Sequence, residues 1–393
     1  MSLADLARLA VFLSVVAGGI VLWEPAPVDA MMLGLVVLLP LAGLQKYSRD
    51  LVAYLLLWLV CGAGALLASG MSLDLVRSGI HTGVSFYLYI ASFTLAAFIA
   101  CRPDRHVRLV IDATVVAATL ATIAALVGYF RLVPGAFELF TRFGRAAGTF
   151  KDPNVYGAFI VPAVLYMLHI ALGRRRFGLV LPLSAVGLFG LGLLLSFSRG
   201  AWLNLALSTV VYAYLAYITA GSRHERKRII RVAAGAALAA AALLLAASQV
   251  DSISALLEER SSLAQGYDVG REGRFGGQQK AIDLVLSAPL GIGATEFSAR
   301  HHHEDVHNVY LSMFLNAGWL GGLAYIFVVV LSIVRGLAHI LRATVTRPLF
   351  IVAYAAFVGT AMEGAVIDTD HWRHFYILLA ILWGLMAGEG RER

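Results

Sequence analysis

The chain has 393 residues, of which 60% are hydrophobic and 14% are charged, and its mean hydropathy is +0.79. Charged residues make up about a quarter of an ordinary soluble protein, so this composition excludes a cytosolic enzyme, a disordered protein and a secreted disulfide scaffold. Its two cysteines, Cys61 and Cys101, are too few for a disulfide framework or a cysteine metal cage.

Apolar segments long enough to cross a membrane recur along the whole chain. A membrane helix needs about 20 mostly apolar residues to cross a hydrocarbon core of roughly 30 Å. Such segments lie near residues 6–23, 30–44, 51–69, 80–101, 107–130, 154–172, 177–196, 201–220, 230–248, 309–334, 348–366 and 375–388. We therefore predict an all-α polytopic membrane protein with about 12 transmembrane helices, the first retained rather than cleaved as a signal peptide.

The basic residues are distributed unevenly between the predicted loops. With the N-terminus in the cytoplasm, 19 of the 31 lysines and arginines fall in inside segments. Positive charge is concentrated on the cytoplasmic side of membrane proteins, so we predict that both termini are cytoplasmic. Membrane orientation then explains the net charge of +7, and nucleic-acid binding is not indicated.

Two outer loops are long in this orientation, near residues 131–153 and 249–307. The second is large enough to fold as an element of its own, with helices predicted near 252–265 and 274–287. We predict a single integral domain over residues 1–393, with the 249–307 loop forming a helical cap on the periplasmic or extracellular side.

The first of three polar patches on the predicted outer side is Arg145–Asn154, directly before the sixth span. Pro153 suits a first helical turn, and Asp152 or Asn154 suits a cap, so a helix start explains the patch. The alternative is an anion site, in which Arg145 and Lys151 flank the free amide groups of a helix N-terminus.

The second patch, Ser196–Leu203, is a very tight outer turn between two spans. Its Arg199 presents a planar fork of donors that matches phosphate oxygens two at a time. A simple alternative is that Arg199 extends from the membrane to the interface and has no ligand.

The third patch, Arg300–Asn308, runs directly into the tenth span and contains the zinc-protease pattern HExxH over His303–His307. That pattern requires a helix that places two imidazoles one turn apart, and a third ligand. The preceding residues are polar and interrupted by glycines, so adventitious metal binding by the histidine run is a better interpretation than a catalytic zinc.

Other candidates lie in the last outer loop, Asp368–His374, and just below it at Glu363. Carboxylates within a membrane are functional candidates. His81 and His169 are isolated in the sequence, and we predict structural roles for both.

In their order along the chain, these patches resemble those of bacterial O-antigen ligases. His307-Asn308, nine residues and then Gly318–Gly321 match a signature of that family, and Arg199–Leu203 matches its RxxxL element. The segment Gly148–Asn154, and Arg274 followed by an apolar helix and Pro289–Gly293, are similar to the wider ligase and polymerase superfamily. A tryptophan often found after the loop arginine is replaced by Gly277 and Gln278, so the matching arginine is either Arg271 or Arg274.

This resemblance implies the transfer of an undecaprenyl-pyrophosphate-linked glycan to a sugar hydroxyl of lipid A–core, on the periplasmic face of the bacterial inner membrane. It also implies a GT-C-type glycosyltransferase architecture, with membrane lipid as surroundings and no metal, nucleotide sugar or other cofactor.

The chemistry of such a transfer suggests a role for each candidate. Negative charge builds on the leaving diphosphate, which preorganised arginines stabilise, so Arg199 and Arg274 are the first candidates. His307 either accepts the proton of the attacking hydroxyl or only orients the acceptor. Direct attack opposite the diphosphate inverts the anomeric centre. The remaining predicted substrate-binding residues are Arg145, Lys151, Asn154, Arg271, Asn308 and Asp370.

Two groups of alternatives remain. An O-antigen polymerase or a protein O-oligosaccharyltransferase would use the same donor with a different acceptor. A secondary transporter would place its polar groups near the bilayer midplane, often in two repeated halves. Here the polar candidates lie at the outer interface and the halves show no repeat, which favours the transferase.

Overall fold

The computed structural model describes residues 2–173, 178–250, 254, 256 and 273–389. Most of these residues are helical. The helices are α1 (Leu3–Ala17), α2 (Pro27–Leu41), α3 (Arg49–Ser69), α4 (Leu75–Cys101), α5 (Pro103–Tyr129), α6 (Ala136–Phe140), α7 (Pro153–Gly173), α8 (Val180–Leu195), α9 (Arg199–Thr219), α10 (Arg223–Ala247), α11 (Arg274–Ser287), α12 (Val309–Ile340), α13 (Arg347–Glu363) and α14 (Arg373–Gly388).

Each of the twelve segments predicted to span the membrane overlaps one of these helices. Among the described residues, seven helices are long and apolar enough to cross a membrane: α3, α4, α5, α7, α9, α10 and α12. The apolar helices α2, α8 and α14 are shorter. The chain is therefore a multi-pass helical membrane protein, whereas the number of twelve spans and the GT-C architecture stay predictions.

The predicted cap is described in part. The helix predicted near 274–287 coincides with α11. The helix predicted near 252–265 lies outside the described residues, except for positions 254 and 256.

Short polar side chains define where several helices begin. Ser48, Asp74 and Ser198 accept hydrogen bonds from backbone N–H groups in the first turns of α3, α4 and α9. At α7, Oδ1 of Asp152 accepts the N–H of Asn154 at 2.6 Å, and Pro153 is the first helical residue. The predicted helix start at this patch is confirmed, and Asp152 is the cap.

A small β-hairpin departs from the all-α prediction. Strands β1 (Thr141–Arg142) and β2 (Arg145–Ala146) pair antiparallel across a two-residue loop. Both loop residues, Phe143 and Gly144, have positive φ (52° and 69°), as a tight hairpin requires. The strands are too short to alternate visibly in hydropathy, and the loop lacks the usual Asn-Gly signal, so the sequence did not indicate this hairpin.

The chain divides into two compact units that each combine separate stretches of sequence. The first comprises residues 1–43, 104–262 and 340–359, and the second comprises 44–103, 263–339 and 360–393. In the first, α7 packs against α8, α9 and α10, and α1 packs against α2. In the second, α4 packs against α3 and α14.

Helix α12 is interrupted at Gly318, where φ is 63° and ψ is −174°. The segment after α11 supplies hydrogen bonds at this break. The Leu315 carbonyl accepts the N–H groups of Ile292 and Gly293 at 2.9 and 3.2 Å, and the Trp319 N–H donates to the Pro289 carbonyl at 2.9 Å. Buried backbone groups need such partners, so the two glycine-containing motifs identified in the sequence are parts of one structural joint.

A small apolar core forms where α11 packs against the segment after it and against α12. Its members come from α11, from the segment after it and from α12, and they are Ala281, Val285, Phe297, Val306 and Leu315. Glu296 links this region to the loop between α3 and α4, where Oε1 accepts the Ser72 hydroxyl at 2.6 Å and the Leu73 N–H at 2.9 Å. Glu296 thus ties the segment before His307 to that loop.

Candidate functional site

His307 is held in an unusual backbone conformation two residues before α12, with φ at 54°. Its N–H donates to Oδ2 of Asp368 at 2.9 Å, and its carbonyl accepts Nε2 of Gln278 at 3.3 Å. A positive φ is uncommon for a residue other than glycine, and such strain persists where surrounding contacts enforce it. The main chain of His307 is therefore fixed from two directions, by the last loop and by α11.

Burial is the main cause that lowers the pKa of His307 below its usual value of 6.5, and the positive charge of Arg274 lowers it further. Glu304 acts in the opposite sense, with its Oε2 3.6 Å from Nε2 of His307. The net effect favours the neutral imidazole at neutral pH. A neutral imidazole is the form that can accept a proton from a hydroxyl group.

Asp368 lies in the last outer loop, whose acidic residues were candidates from the sequence, but the sequence assigned it no role. Besides the N–H of His307, it accepts the hydroxyl of Ser312 at Oδ1, 2.5 Å away. Burial raises the pKa of Asp368 to about 7, and the charge of Asp370 adds to this rise. Its loop was identified as polar, but the contact with His307 depends on how α12 meets the turn after α13.

Arg274 is the first residue of the 14-residue helix α11, as expected for one of the two candidate loop arginines. The other, Arg271, lies outside the described residues. The positive end of a helix dipole adds to the charge of Arg274 and favours an anion nearby. This end of α11 is thus suited to an anion.

The departure from the family pattern after Arg274 has a local structural explanation. Gln278 contacts the carbonyl of His307, and a Cβ atom on Gly277 would lie 3.1 Å from the His302 ring. Gly277 leaves room for His302, and Gln278 holds the backbone of His307.

Asn308 caps α12. Its Oδ1 accepts the N–H groups of Tyr310 and Leu311 at 3.1 and 3.3 Å. The preceding zinc-protease pattern has no helix under it, because α12 begins only at Val309. The histidine-rich stretch therefore lacks the helical frame that a zinc protease needs, and substrate binding by Asn308 stays a prediction.

In the first unit, the buried side chain of Arg145 holds a turn together. Its Nε donates to the Ser196 carbonyl at 2.7 Å, and an Nη donates to Oδ1 of Asn154 at 2.8 Å. Ser196 lies three residues before Arg199, which opens α9. Arg145 and Asn154, which were both predicted to bind substrate, therefore contact each other. At least two N–H donors of Arg145 form hydrogen bonds within the protein.

Lys151 lies on the surface and pairs with Glu24, with 2.9 Å between Nζ and Oε2 and both side chains about half exposed. An exposed pair of this kind contributes little to stability. Substrate binding by Lys151 stays a prediction.

His81 is isolated in the sequence but has partners in the folded chain, and its structural role stays a prediction. Its Nε2 lies 3.5 Å from Oδ2 of Asp370, and its ring centroid lies 4.0 Å from that of His371. Asp370 is buried in this cluster, and substrate binding by its carboxylate stays a prediction. His169 also has a partner, because its Nδ1 lies 3.0 Å from the Tyr212 hydroxyl, which is consistent with the predicted structural role.

The candidates fall into the two units separately. Arg145, Lys151, Asn154 and Arg199 belong to the first, whereas Arg274, His307, Asn308 and Asp370 belong to the second. In the first unit Arg145 contacts the turn before α9, and in the second unit the charge of Arg274 acts on His307 before α12.

Comparison with known proteins gives one family match. The family model described as O-antigen ligase matches residues 183–326. No curated protein matches the chain. The matched region contains Arg199, Arg274, His307 and Asn308, and the match implies a glycosyltransferase or ligase of the O-antigen ligase or polymerase type that acts on polysaccharide and lipid substrates in a membrane. Over residues 183–326, which include the break in α12 at Gly318 and both glycine motifs, this chain is similar to the O-antigen ligase family.

Proposed function

We propose that this protein transfers an undecaprenyl-pyrophosphate-linked O-antigen glycan to a sugar hydroxyl of lipid A–core at the periplasmic face of the bacterial inner membrane. The observation that carries the proposal is the arrangement around His307. Its strained backbone is fixed by Asp368 and Gln278, and its imidazole lies within the electrostatic influence of Arg274. A proton acceptor and a cation are thus combined at the family's signature motif.

In the proposed reaction, the oxygen of the acceptor hydroxyl attacks the anomeric carbon of the donor glycan. The hydroxyl proton passes to the imidazole of His307. The bond between the anomeric carbon and the diphosphate oxygen breaks, and its electron pair leaves with the diphosphate. One displacement of this kind inverts the anomeric centre, and no step requires a metal ion.

The leaving diphosphate gains negative charge as its bond breaks, so a fixed cation stabilises the transition state more than the ground state. We assign this role to Arg274, where the N-terminus of α11 adds a favourable dipole. We assign the same role, binding the leaving diphosphate, to Arg199. The turn before Arg199 is fixed by the hydrogen bond from Arg145 to the Ser196 carbonyl. The supporting substrate contacts that we propose are those of Lys151, Asn154, Arg271, Asn308 and Asp370.

Purified protein supplied with lipid-linked glycan and with lipopolysaccharide lacking O-antigen tests the proposal directly. We expect glycan-bearing lipopolysaccharide to form, with EDTA present as well as without it. His307→Ala and Arg199→Ala should each abolish the product while the protein still inserts in the membrane. His303→Ala is a matched control, because it removes a neighbouring histidine from the same stretch.

A deletion strain separates ligase activity from polymerase activity. Loss of a ligase leaves core-only lipopolysaccharide and an accumulation of polymerised lipid-linked glycan. Loss of a polymerase instead leaves one repeat unit on the core. That second result, or glycan transfer to a protein serine or threonine in the purified system, would contradict the proposed acceptor. Wild-type activity in His307→Ala would contradict the proposed role of the imidazole.

A further inference from the structure

Three side chains with metal-ligating atoms meet on the second unit, and none of them is assigned above to proton transfer or diphosphate binding. His81 lies on α4, and Asp370 and His371 lie in the turn between α13 and α14. One ligand atom from each residue lies within 4.8 Å of the other two. These three residues are named the His81 cluster.

The spacing in the His81 cluster suits a small divalent cation. Zinc binds histidine nitrogen and carboxylate oxygen at about 2.0–2.2 Å, so two ligands of a tetrahedral site lie about 3.4 Å apart. The distance between Nε2 of His81 and Oδ2 of Asp370 is 3.5 Å. A cation bound by both atoms therefore requires almost no movement of these two side chains.

Supporting contacts hold two of the ligands in place. The hydroxyl of Ser85 lies 3.0 Å from Nε2 of His371, so the proposed ligand atom of that ring is Nδ1. The hydroxyl of Tyr376 donates to the Asp370 carbonyl at 2.6 Å and fixes the backbone beside the carboxylate. Hydrogen bonds to groups behind the ligands are typical of metal sites, where they set the orientation of each imidazole.

A simple ion pair explains only part of the His81 cluster. It accounts for the approach of His81 to Asp370, but not for a second imidazole with its centroid 4.0 Å from the first. One cation shared by the two imidazoles and the carboxylate accounts for all three. Two nitrogen ligands and one carboxylate oxygen favour zinc and its neighbours over calcium or magnesium, which prefer oxygen ligands.

We propose that His81, Asp370 and His371 bind a divalent transition-metal ion of the zinc class. The ion joins α4 to the turn before α14 and stabilises that turn. This turn also carries Asp368, which holds the backbone of His307. The metal has a structural role in this proposal, and Asp370 is then a ligand of the metal in place of the substrate contact proposed for it above.

The test uses full-length protein purified without a polyhistidine tag and treated with chelator. Co²⁺ is added while its visible absorption is recorded, and Zn²⁺ then competes with it. We expect one tight equivalent in the wild type, a higher thermal midpoint with Zn²⁺, and loss of the tight equivalent in His81→Ala and His371→Ala. Asp370→Asn, which keeps the shape but removes the anionic ligand, should also lose it.

If a ligand variant does not fold, Ser85→Ala tests whether the His81 cluster binds the metal ion. Removing a hydrogen bond behind a metal ligand weakens metal affinity by about 10–100-fold, and the substitution leaves all three ligands in place. The expected result is therefore a Co²⁺ affinity reduced within that range. An unchanged affinity in Ser85→Ala would contradict the assigned role of its hydroxyl and, with a wild-type His81→Ala titration, overturn the site.

The histidine run supplies the control. His301→Ala combined with His303→Ala removes two imidazoles from the second unit without altering the His81 cluster, and it should keep the tight equivalent. If the tight equivalent disappears in this double variant, the ion belongs to the run and the proposal is wrong. Absence of tight binding in the wild type would overturn it as well.

Discussion

The N–H of His307 donates a 2.9 Å hydrogen bond to Oδ2 of Asp368, a residue 61 positions later in the chain. The turn between α13 and α14 thus holds the main chain of the candidate base. Because the bond runs to the backbone, it constrains the position of the imidazole without occupying either ring nitrogen.

Removing this carboxylate should reduce catalysis by mispositioning His307. We expect Asp368→Ala to lower kcat by about 100-fold, the cost of a displacement of roughly 1 Å in an active site. Donor KM should change little, because Arg274 remains. The measurement is steady-state transfer to lipopolysaccharide, with thermal unfolding as a check on folding.

Asp368→Asn is the matched variant. Its amide oxygen can accept the His307 N–H, and its amide nitrogen can donate to Ser312, so most activity should return. If Asp368→Asn is as inactive as Asp368→Ala, the carboxylate itself takes part in proton transfer and the positioning role is wrong.

The pH dependence of transfer should reflect the lowered pKa of His307. A base must be deprotonated, so kcat/KM should fall on the acid side with a midpoint below pH 6.5. The Asp368→Asn background is the one to use, since Asp368 no longer titrates there. Glu304→Gln should move this midpoint to still lower pH, because the negative charge of Glu304 raises the pKa of His307.

An acid limb centred above pH 6.5, or a shift to higher pH in Glu304→Gln, would contradict this electrostatic account.

Protein stability should decline as pH rises through the titration of Asp368. Its pKa is about 7 in the folded protein, against a usual value of 3.8. Folding therefore favours the protonated carboxyl of Asp368. This contribution to the stability of the folded protein is complete below about pH 4 and is lost as pH rises from there through 7. The full effect is about 4 kcal/mol, at 1.36 kcal/mol for each pH unit that separates the two pKa values.

Thermal unfolding of chelator-treated protein at pH 5 and pH 8 measures this effect, because a cation bound to Asp370 would offset the charge that helps to raise the pKa of Asp368. Asp368→Asn cannot ionise, so it should gain stability relative to the wild type at pH 8 and differ less at pH 5. A wild type that loses no more stability than Asp368→Asn between the two pH values would show that Asp368 is not the group responsible.

Helix positions were accessible from the sequence because they depend on local patterns. The apolar segments place the long helices, and the Asp152-Pro153 pair marks the start of α7. The bounds of α11 follow from a short apolar stretch between Arg274 and the proline that comes after the helix. Each of these signals lies within a few residues of the structure that it predicts.

Contacts between distant segments were not accessible in this way. The His81 cluster forms because α4 packs against α14, and hydropathy carries no information on which helices become neighbours. The contact of Asp368 with His307 has the same origin, since both residues lie outside the apolar periodicity. The sequence identified the polar loops, but the pairing within them depends on tertiary structure.

Arg145 should stabilise the turn before Arg199, whereas Lys151 should contribute little. A lysine cannot reproduce the fork that joins the Ser196 carbonyl to Asn154, so Arg145→Lys should lose about 1.5–3 kcal/mol, the value of a hydrogen bond to a charged group. Lys151→Ala breaks an exposed ion pair and should cost less than about 1 kcal/mol. Thermal unfolding in detergent measures both.

A double-mutant cycle with Asn154→Ala completes this test. Because Arg145 and Asn154 share a hydrogen bond, the double variant should lose less stability than the two single variants together. If Arg145→Lys is as stable as the wild type and only donor affinity falls, Arg145 binds the diphosphate and is not a structural anchor.

Gly318→Ala should destabilise the joint between α12 and the segment after α11. A Cβ atom at this position would lie 2.8 Å from the Leu290 carbonyl oxygen, and the backbone conformation is one that glycine adopts almost alone. We expect a loss of about 1–3 kcal/mol from backbone strain, seen as a lower thermal midpoint. Transfer activity should fall as well, because His307 and Asn308 directly precede α12. Gly79→Ala is the control, since an added Cβ there meets no atom within 4 Å, and alanine in a helix is favoured over glycine by roughly 0.5–1 kcal/mol. Equal stability of the two variants would mean that the break in α12 is not required by the contact with Leu290.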